Sequence, residues 1–297
     1  MAIKTVVLSL NGTNYTIPLD SATGKYVKQI QAPTKSSYGQ TDHVYAMQLQ
    51  VTDMAGNVTK IDKSHATFGS ALKLRVKEKV APVISITKPG SGAYLTSNTV
   101  DFSVDITDAD SGVASGTISI KLDGTALEVT KTAITGGYRC TYTGTVKDGS
   151  NSLAVNVSDN DGNAATEKKI TFVVDTVPPQ LNVSSPTAEL ITDKQACTVA
   201  GTTNDATSGL AKVTVTLNGA DQGTVTVAAD GSFSKSINLA KGSNTIVVKA
   251  IDKAGKSTTV SRSVTYDPDA PVIVSVSHTP DPVNAGGTFT ITVEATD

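Results

Sequence analysis

The chain has 297 residues, which is too long for one small β domain and predicts two or three domains of about 100 to 150 residues each. Hydrophobic residues make up 38% of the sequence and the net charge is -2, a balance that can fill hydrophobic cores and that argues against intrinsic disorder. No apolar run approaches the roughly 18 residues of a membrane helix and there is no basic surplus, so we expect neither a membrane nor a nucleic-acid partner.

The N-terminal residues predict a β-strand. From Met1 to Gly12 the apolar run is broken by Ser9 and Asn11, which makes it shorter than the apolar centre of a secretory signal peptide. If Met1 is the native start, the sequence therefore predicts a chain that the general secretory route does not export.

A strand that ends in a tight turn recurs three times along the chain. Its turns are Asn11-Gly12, Asp123-Gly124 and Asn218-Gly219. Such pairs supply the positive φ angles of a two-residue hairpin. Later in each copy, an alternating strand ends at Asp53, Asp159 or Asp252. Alternation with a period of two is typical of half-buried strands, so the pattern predicts repeated β domains.

Each repeat boundary carries an acidic residue four positions before a proline. These pairs are Glu78 and Pro82, Asp175 and Pro179, and Asp267 and Pro271. The prolines recur at a spacing of roughly 95 residues, which suits a sandwich of about seven strands. The sequence therefore predicts four parts: a first segment (1–79), a second segment (80–177), a third segment (178–268) and a terminal segment (269–297).

The two ends of the chain look like complementary parts of one domain. The first segment lacks the two strands that open the second and third segments, whereas the terminal segment contains only those two strands. Three explanations fit this pattern. The array is cut inside its next repeat, or the first segment is a smaller domain of its own, or the terminal strands of one chain complete the first segment of another.

Three motifs resemble those of tandem bacterial immunoglobulin-like (Ig-like) domains. They are the turn Val51-Thr-Asp-Met-Ala-Gly-Asn57, the D-x-x-S-G loops Asp108–Gly112 and Asp205–Gly209, and the acid-to-proline boundary. The resemblance implies an all-β fold of tandem Ig-like β-sandwiches in an elongated array. The general layout is also similar to Ig-like proteins of prophages in Gram-positive bacteria.

This resemblance implies a non-enzymatic spacer, either in a phage tail or on the virion surface, that contacts the host envelope. Its implied partners are other virion proteins or a host cell-surface polymer, besides self-association through the terminal strands. The alternative is an extracellular protein, either a bacterial cell-surface adhesin or the accessory Ig-like region of a secreted glycan-active enzyme. A spacer without any ligand is a third interpretation.

No catalytic motif is present in the sequence. The three histidines stand apart from one another, and neither a nucleophile elbow, a phosphate loop nor a metal-binding Cys or His pair occurs. We therefore expect no enzymatic activity, and no cofactor other than calcium. Cys140 and Cys197 are interpreted as buried apolar side chains.

Calcium at the domain boundaries is the one metal-site hypothesis. In a sandwich, the incoming chain meets the loops after the second and sixth strands, and oxygen ligands gathered there suit a hard cation. The candidate ligands are Glu78, Asp108, Asp110, Asp159 and Asp161 at one boundary and Asp175, Asp205 and Asp252 at the next. The same acids also suit turns and solvated linkers, and the sequence favours that simpler interpretation because the ligand spacing is loose.

Tyr38 and Tyr45 are the candidate binding residues. They flank a loop that has no counterpart in the other segments. Exposed aromatic side chains are the usual contacts to sugar faces, so these two would form a receptor surface.

Overall fold

A computed structural model describes residues 2–297 and is all-β, as the sequence predicts. The contacts between residues divide the chain into two compact units. One comprises Met1–Ala93 with Thr99–Phe172, and the other comprises Tyr94–Asn98 with Val173–Asp297. The division into four segments stays a prediction, and the segment names serve below only to locate residues.

The first segment contains one main sheet. Its strands are β1 (Ile3–Leu10), β2 (Thr13–Thr16), β3 (Leu19–Asp20), β4 (Lys25–Tyr26), β5 (Tyr45–Asp53), β6 (Val58–Ile61) and β7 (Lys73–Leu74), with short 3-10 helices at Thr41–His43 and Gly69–Leu72. The main sheet has the order β2-β1-β5-β6, β7 pairs with the start of β5, and β3 and β4 form a separate small hairpin.

The second segment contains two sheets. Its strands are β8 (Val83–Lys88), β9 (Tyr94–Leu95), β10 (Thr99–Thr107), β11 (Ser119–Leu122), β12 (Thr125–Ala126), β13 (Thr130–Ile134), β14 (Gly137–Thr145), β15 (Gly149–Asn156) and β16 (Lys168–Val174), with a 3-10 helix at Ser115–Thr117. The sheets have the orders β13-β14-β10-β8 and β12-β11-β15-β16-β9.

The third segment repeats this arrangement. Its strands are β17 (Gln180–Ser185), β18 (Leu190–Thr192), β19 (Ala196–Asn204), β20 (Leu210–Leu217), β21 (Ala220–Val225), β22 (Ser232–Asn238), β23 (Gly242–Asp252) and β24 (Ser257–Tyr266). The sheets have the orders β17-β19-β22 and β18-β24-β23-β20-β21. The terminal segment forms a single antiparallel pair, β25 (Val272–Thr279) with β26 (Thr290–Thr296).

The predicted hairpins and core positions are confirmed. Asn11, Asp123 and Asn218 have φ angles of 47°, 48° and 52°, and the glycine after each is also at positive φ, as tight hairpin turns require. Alternate residues of β10, from Val100 to Ile106, are buried. Cys140 and Cys197 are likewise buried and free, and burial raises the pKa of both thiols, so they behave as apolar core side chains.

Candidate metal centres

The structure brings six of the eight candidate acids together in two groups. Group A comprises Glu78, Asp108 and Asp159, and group B comprises Asp175, Asp205 and Asp252. Within each group, one carboxylate oxygen from every residue lies within 4.8 Å of the others. In both groups a boundary acid meets two other acids of the sandwich that follows it, which lie after β10 and β15 in group A, and after β19 and at the last residue of β23 in group B.

Backbone N–H donors hold the carboxylates of group A in place. Asp108 Oδ1 accepts hydrogen bonds from the backbone N–H groups of Asp110 at 3.0 Å and Gly112 at 2.7 Å, which closes the D-x-x-S-G loop. Glu78 Oε1 accepts from the Ser111 N–H of the same loop at 2.6 Å. Asp159 accepts from both the backbone and the side-chain N–H of Asn163. The loop Asp108–Gly112 thus donates a backbone hydrogen bond to the boundary acid Glu78.

Group B is built in the same way. Asp205 Oδ1 accepts from the N–H groups of Ser208 at 2.9 Å and Gly209 at 2.6 Å, which closes the second D-x-x-S-G loop. Asp175 Oδ2 accepts from the same Ser208 N–H at 3.1 Å. Asp252 Oδ1 accepts from the Lys256 N–H at 2.9 Å. Both groups therefore arise from one repeated sequence pattern.

Four of these six carboxylates are at least nine-tenths buried, Glu78 and Asp205 are partly buried, and two buried carboxylates are incompletely satisfied. Asp175 is fully buried, Asp252 is 1% exposed and Asp108 is 9% exposed. Asp108 Oδ2 and Asp252 Oδ2 are buried without a hydrogen-bond partner. Within residues 2–297, none of the six carboxylates has a Lys, Arg or His nitrogen within 4.0 Å. Burying a carboxylate is costly unless hydrogen bonds or a counter-charge compensate it, and here the compensation within the chain comes from N–H donors and leaves two oxygens without a partner.

Asp110 and Asp161 are not part of group A, contrary to the prediction for this boundary. Asp110 Oδ2 accepts a hydrogen bond from the Ser36 N–H at 2.8 Å, and Asp161 Oδ2 accepts one from the Glu78 N–H at 3.0 Å. Each stands two residues after a group A aspartate and accepts a backbone N–H of the first segment, Asp110 from a loop at Ser36 and Asp161 from the incoming chain at Glu78. These two acids therefore tether the connection between segments.

The first segment carries the same strand-ending turn, but its described residues, 2–79, contain no comparable acid group of their own. Asp53 accepts hydrogen bonds from the Asn57 backbone and side-chain N–H groups, both at 2.9 Å, which matches Asp159 and Asn163. The side-chain and backbone donors of Asn57 hold the pKa of Asp53 below its usual range. The turn interpretation thus accounts for Asp53, but it does not account for the convergence of three carboxylates in groups A and B.

The two candidate tyrosines are placed differently. Tyr45 is 5% exposed and its hydroxyl donates to the Lys35 carbonyl at 3.3 Å, so it is a core residue and not a receptor contact as predicted. Tyr38 is half-buried and stacks on His43 with the ring centroids 4.3 Å apart. Tyr38 also lines a shallow cleft with His43 and Arg75.

The histidines have local structural contacts. The Tyr38 carbonyl contacts His43, the His65 ring nitrogen accepts from the N–H groups of Thr67 and Phe68, and His278 lies 3.5 Å from Asp281. Within residues 2–297, no helix has the length and apolar character needed to cross a membrane.

Comparisons with known families match three parts of the chain. Residues 2–70 match the model of a bacterial Ig-like domain, residues 82–155 that of a bacterial Ig domain, and residues 179–268 that of glucodextranase domain B. Among curated proteins, Bacillopeptidase F of Bacillus subtilis (strain 168) is 34% identical over 125 residues. That match covers 42% of this chain and only 8% of the relative.

Several solved structures are also similar. The fibronectin(III)-like modules of Clostridium thermocellum CbhA match at 16% identity, with a TM-score of 0.41, over 62% of this chain and 94% of theirs. A tetra-tandem repeat from the extending region of a large adhesion protein matches at 17% identity, with a TM-score of 0.33, over 98% of this chain and 79% of its own. The family matches and the sheets together show that this chain contains bacterial Ig-like domains arranged in tandem.

Proposed function

We propose that this chain is a non-catalytic spacer within the accessory or adhesive region of a bacterial extracellular protein. The matches to glucodextranase domain B and Bacillopeptidase F support this alternative over a phage role, because each names an enzyme of which the matched part is one segment. A spacer in a virion would also need a stiff connection between its domains, but none of the matches described above favours a virion protein. For both the extracellular protein and the virion protein, a binding partner and a host receptor are proposals.

The observation that carries the proposal is the hydrogen-bonded connection between the first and second segments. Asp110 accepts from the Ser36 N–H in a loop of the first segment, and Asp161 accepts from the Glu78 N–H of the incoming chain. The same stretch is held from the other side, because Asn163 Nδ2 donates to the Glu78 carbonyl at 3.2 Å and Lys77 Nζ donates to the Asp161 carbonyl at 3.0 Å. A flexible linker leaves such backbone groups to solvent, whereas a spacer requires them fixed.

Spin-label distance measurements in the presence of a chelator test this proposal. Labels at Thr59→Cys and Thr132→Cys, which are exposed strand positions on either side of the connection, are expected to give one narrow distance distribution. The pair Asp110→Ala with Asp161→Ala should broaden it, while Asp123→Ala, at a distant hairpin, should not. A broad distribution in the otherwise unchanged chain would refute the rigid spacer.

A further inference from the structure

We infer that group A and group B are two calcium sites, each binding one ion. This inference goes beyond the spacer proposal and does not depend on it, because cation binding can be measured whether or not the connection is stiff. It rests on the geometry of the six carboxylates and on two buried oxygen atoms that lack a partner.

The proximity of acidic residues does not by itself indicate a metal site, since exposed acidic clusters are common without a bound ion. The independent observation is that Asp252 Oδ2 and Asp108 Oδ2 are buried, at residues 1% and 9% exposed, and accept no hydrogen bond. In each case the Oδ1 atom of the same carboxylate is held by backbone N–H donors. The donors orient the carboxylate and leave its other oxygen without a partner, in a residue that has a carboxylate oxygen within 4.8 Å of those of two other acids.

The ligand chemistry selects the class of cation. Each group offers carboxylate oxygens only, with no His or Cys, which suits a hard cation over zinc. Mg²⁺ keeps several waters and is usually held by one or two carboxylates, whereas Ca²⁺ accepts several carboxylates in irregular geometry and completes its shell with carbonyls and water. Three convergent carboxylates in a buried loop cluster therefore favour Ca²⁺.

The two sites should differ in affinity. Group B contains the fully buried Asp175 and the nearly buried Asp252, whereas in group A the boundary acid Glu78 is only partly buried. A more enclosed set of charges gains more from a cation because solvent screens it less. We expect group B to bind Ca²⁺ several-fold more tightly than group A.

Equilibrium dialysis against Ca²⁺, with thermal unfolding in Ca²⁺ and in chelator, tests the inference on the full chain. We expect two ions per chain with Kd on the order of 10⁻⁴ M, and a higher Tm in Ca²⁺. Asp252→Asn and Asp108→Asn should each remove one ion. Asp53→Asn is the matched control, because it alters the same kind of turn outside any acid group, and it should leave two ions bound.

The variants also separate a metal ligand from a turn-forming residue. In chelator, Asp252→Asn should keep or raise the Tm, because the amide keeps the Oδ1 acceptor, removes a buried charge and can donate to the neighbouring carboxylates. In Ca²⁺ it should lower the Tm relative to the unchanged chain. A purely structural residue would give equal Tm losses in Ca²⁺ and in chelator, and that result would overturn the inference. The absence of bound Ca²⁺ at about 10 mM would overturn it as well. Equal binding of Mg²⁺ would overturn the choice of calcium.

Discussion

At the scale of single residues, one strand-ending aspartate has different surroundings in its three copies. Asp53, Asp159 and Asp252 all accept the N–H of the residue four positions later. The hydrogen bond is local, so the sequence was sufficient to predict the turn. Whether the aspartate then meets other carboxylates depends on a boundary acid and on a second loop, which the first copy lacks.

The ion pair of Asp105 and Arg139 offers a residue-scale prediction about pH. These residues face each other across β10 and β14, and the guanidinium donates to both carboxylate oxygens at 2.7 Å. Arg139 holds the pKa of Asp105 below its usual range. The pair should therefore stabilise the fold above about pH 4, the ordinary Asp value, and lose its contribution as the pH falls through the lowered pKa.

Substitution of Arg139 by Ala should consequently raise the pKa of Asp105 and lower the stability only slightly, because Arg139 is exposed and solvent screens the pair. NMR titration of the Asp105 carboxyl and denaturation at high and low pH would measure both effects. A loss of stability that is the same at pH 7 and at low pH would contradict the electrostatic interpretation.

At the scale of elements, the first segment differs from the second and third in how fully the inner face of its main sheet is buried. In β15 and just beyond it, Leu153, Val155 and Val157 are 0 to 3% exposed. Met47 and Leu49 in β5 occupy the corresponding positions, counted back from the strand-ending aspartate, and are only half-buried. The second and third segments have a second sheet, whereas the described residues 2–79 of the first add only the small β3–β4 hairpin to its main sheet.

Truncation of one leucine in each of these two strands should reveal this difference in packing. Leu153→Ala removes a side chain that is fully buried and should cost about 2 to 5 kcal/mol, as large-to-small changes in packed cores do. Leu49→Ala removes a half-buried side chain and should cost clearly less, because water already reaches that site. Urea denaturation of both variants measures the difference. Equal costs would show that the inner face of the first sheet is packed as tightly as that of the second segment.

At the scale of the whole molecule, the terminal strand pair leaves core-type residues in solvent. Phe289, Ile291 and Val293 correspond to Val100, Phe102 and Val104, counted from the aspartate that ends each motif. The first three are 52 to 62% exposed, whereas the second three are 1 to 4% exposed. An apolar strand pair of this kind is a template for association with another sheet.

We therefore predict that the polypeptide of residues 1–297 self-associates as its concentration rises. The expected contact is between the β25–β26 pair of one copy and the half-buried face of the β1–β5 sheet of another. Val293→Lys, on the apolar face of β26, should reduce the mass measured by light scattering, whereas Thr292→Lys, on the opposite face, should not. A constant monomer mass over the concentration series would exclude strand exchange.

The sequence alone determined the local features of this protein. Asn-Gly and Asp-Gly pairs, period-two alternation and the acid-to-proline boundaries depend on neighbours a few residues apart, so they predicted the hairpins, the buried faces and the all-β class. They also nominated all six carboxylates of groups A and B, because these residues recur at equivalent places in the repeat.

Only the tertiary structure decided which acids converge. Asp108 and Asp159 lie in loops far apart in sequence, and their separation is set by how two sheets pack, which no local pattern encodes. Asp110 and Asp161 satisfy the same local pattern, yet one oxygen of each accepts a backbone N–H of the first segment instead, from Ser36 and from Glu78. Tyr45 likewise belongs to the core because β5 carries it inward. The sequence indicates which residues are candidate metal ligands, and the packing of the sheets and loops determines which of them lie close together.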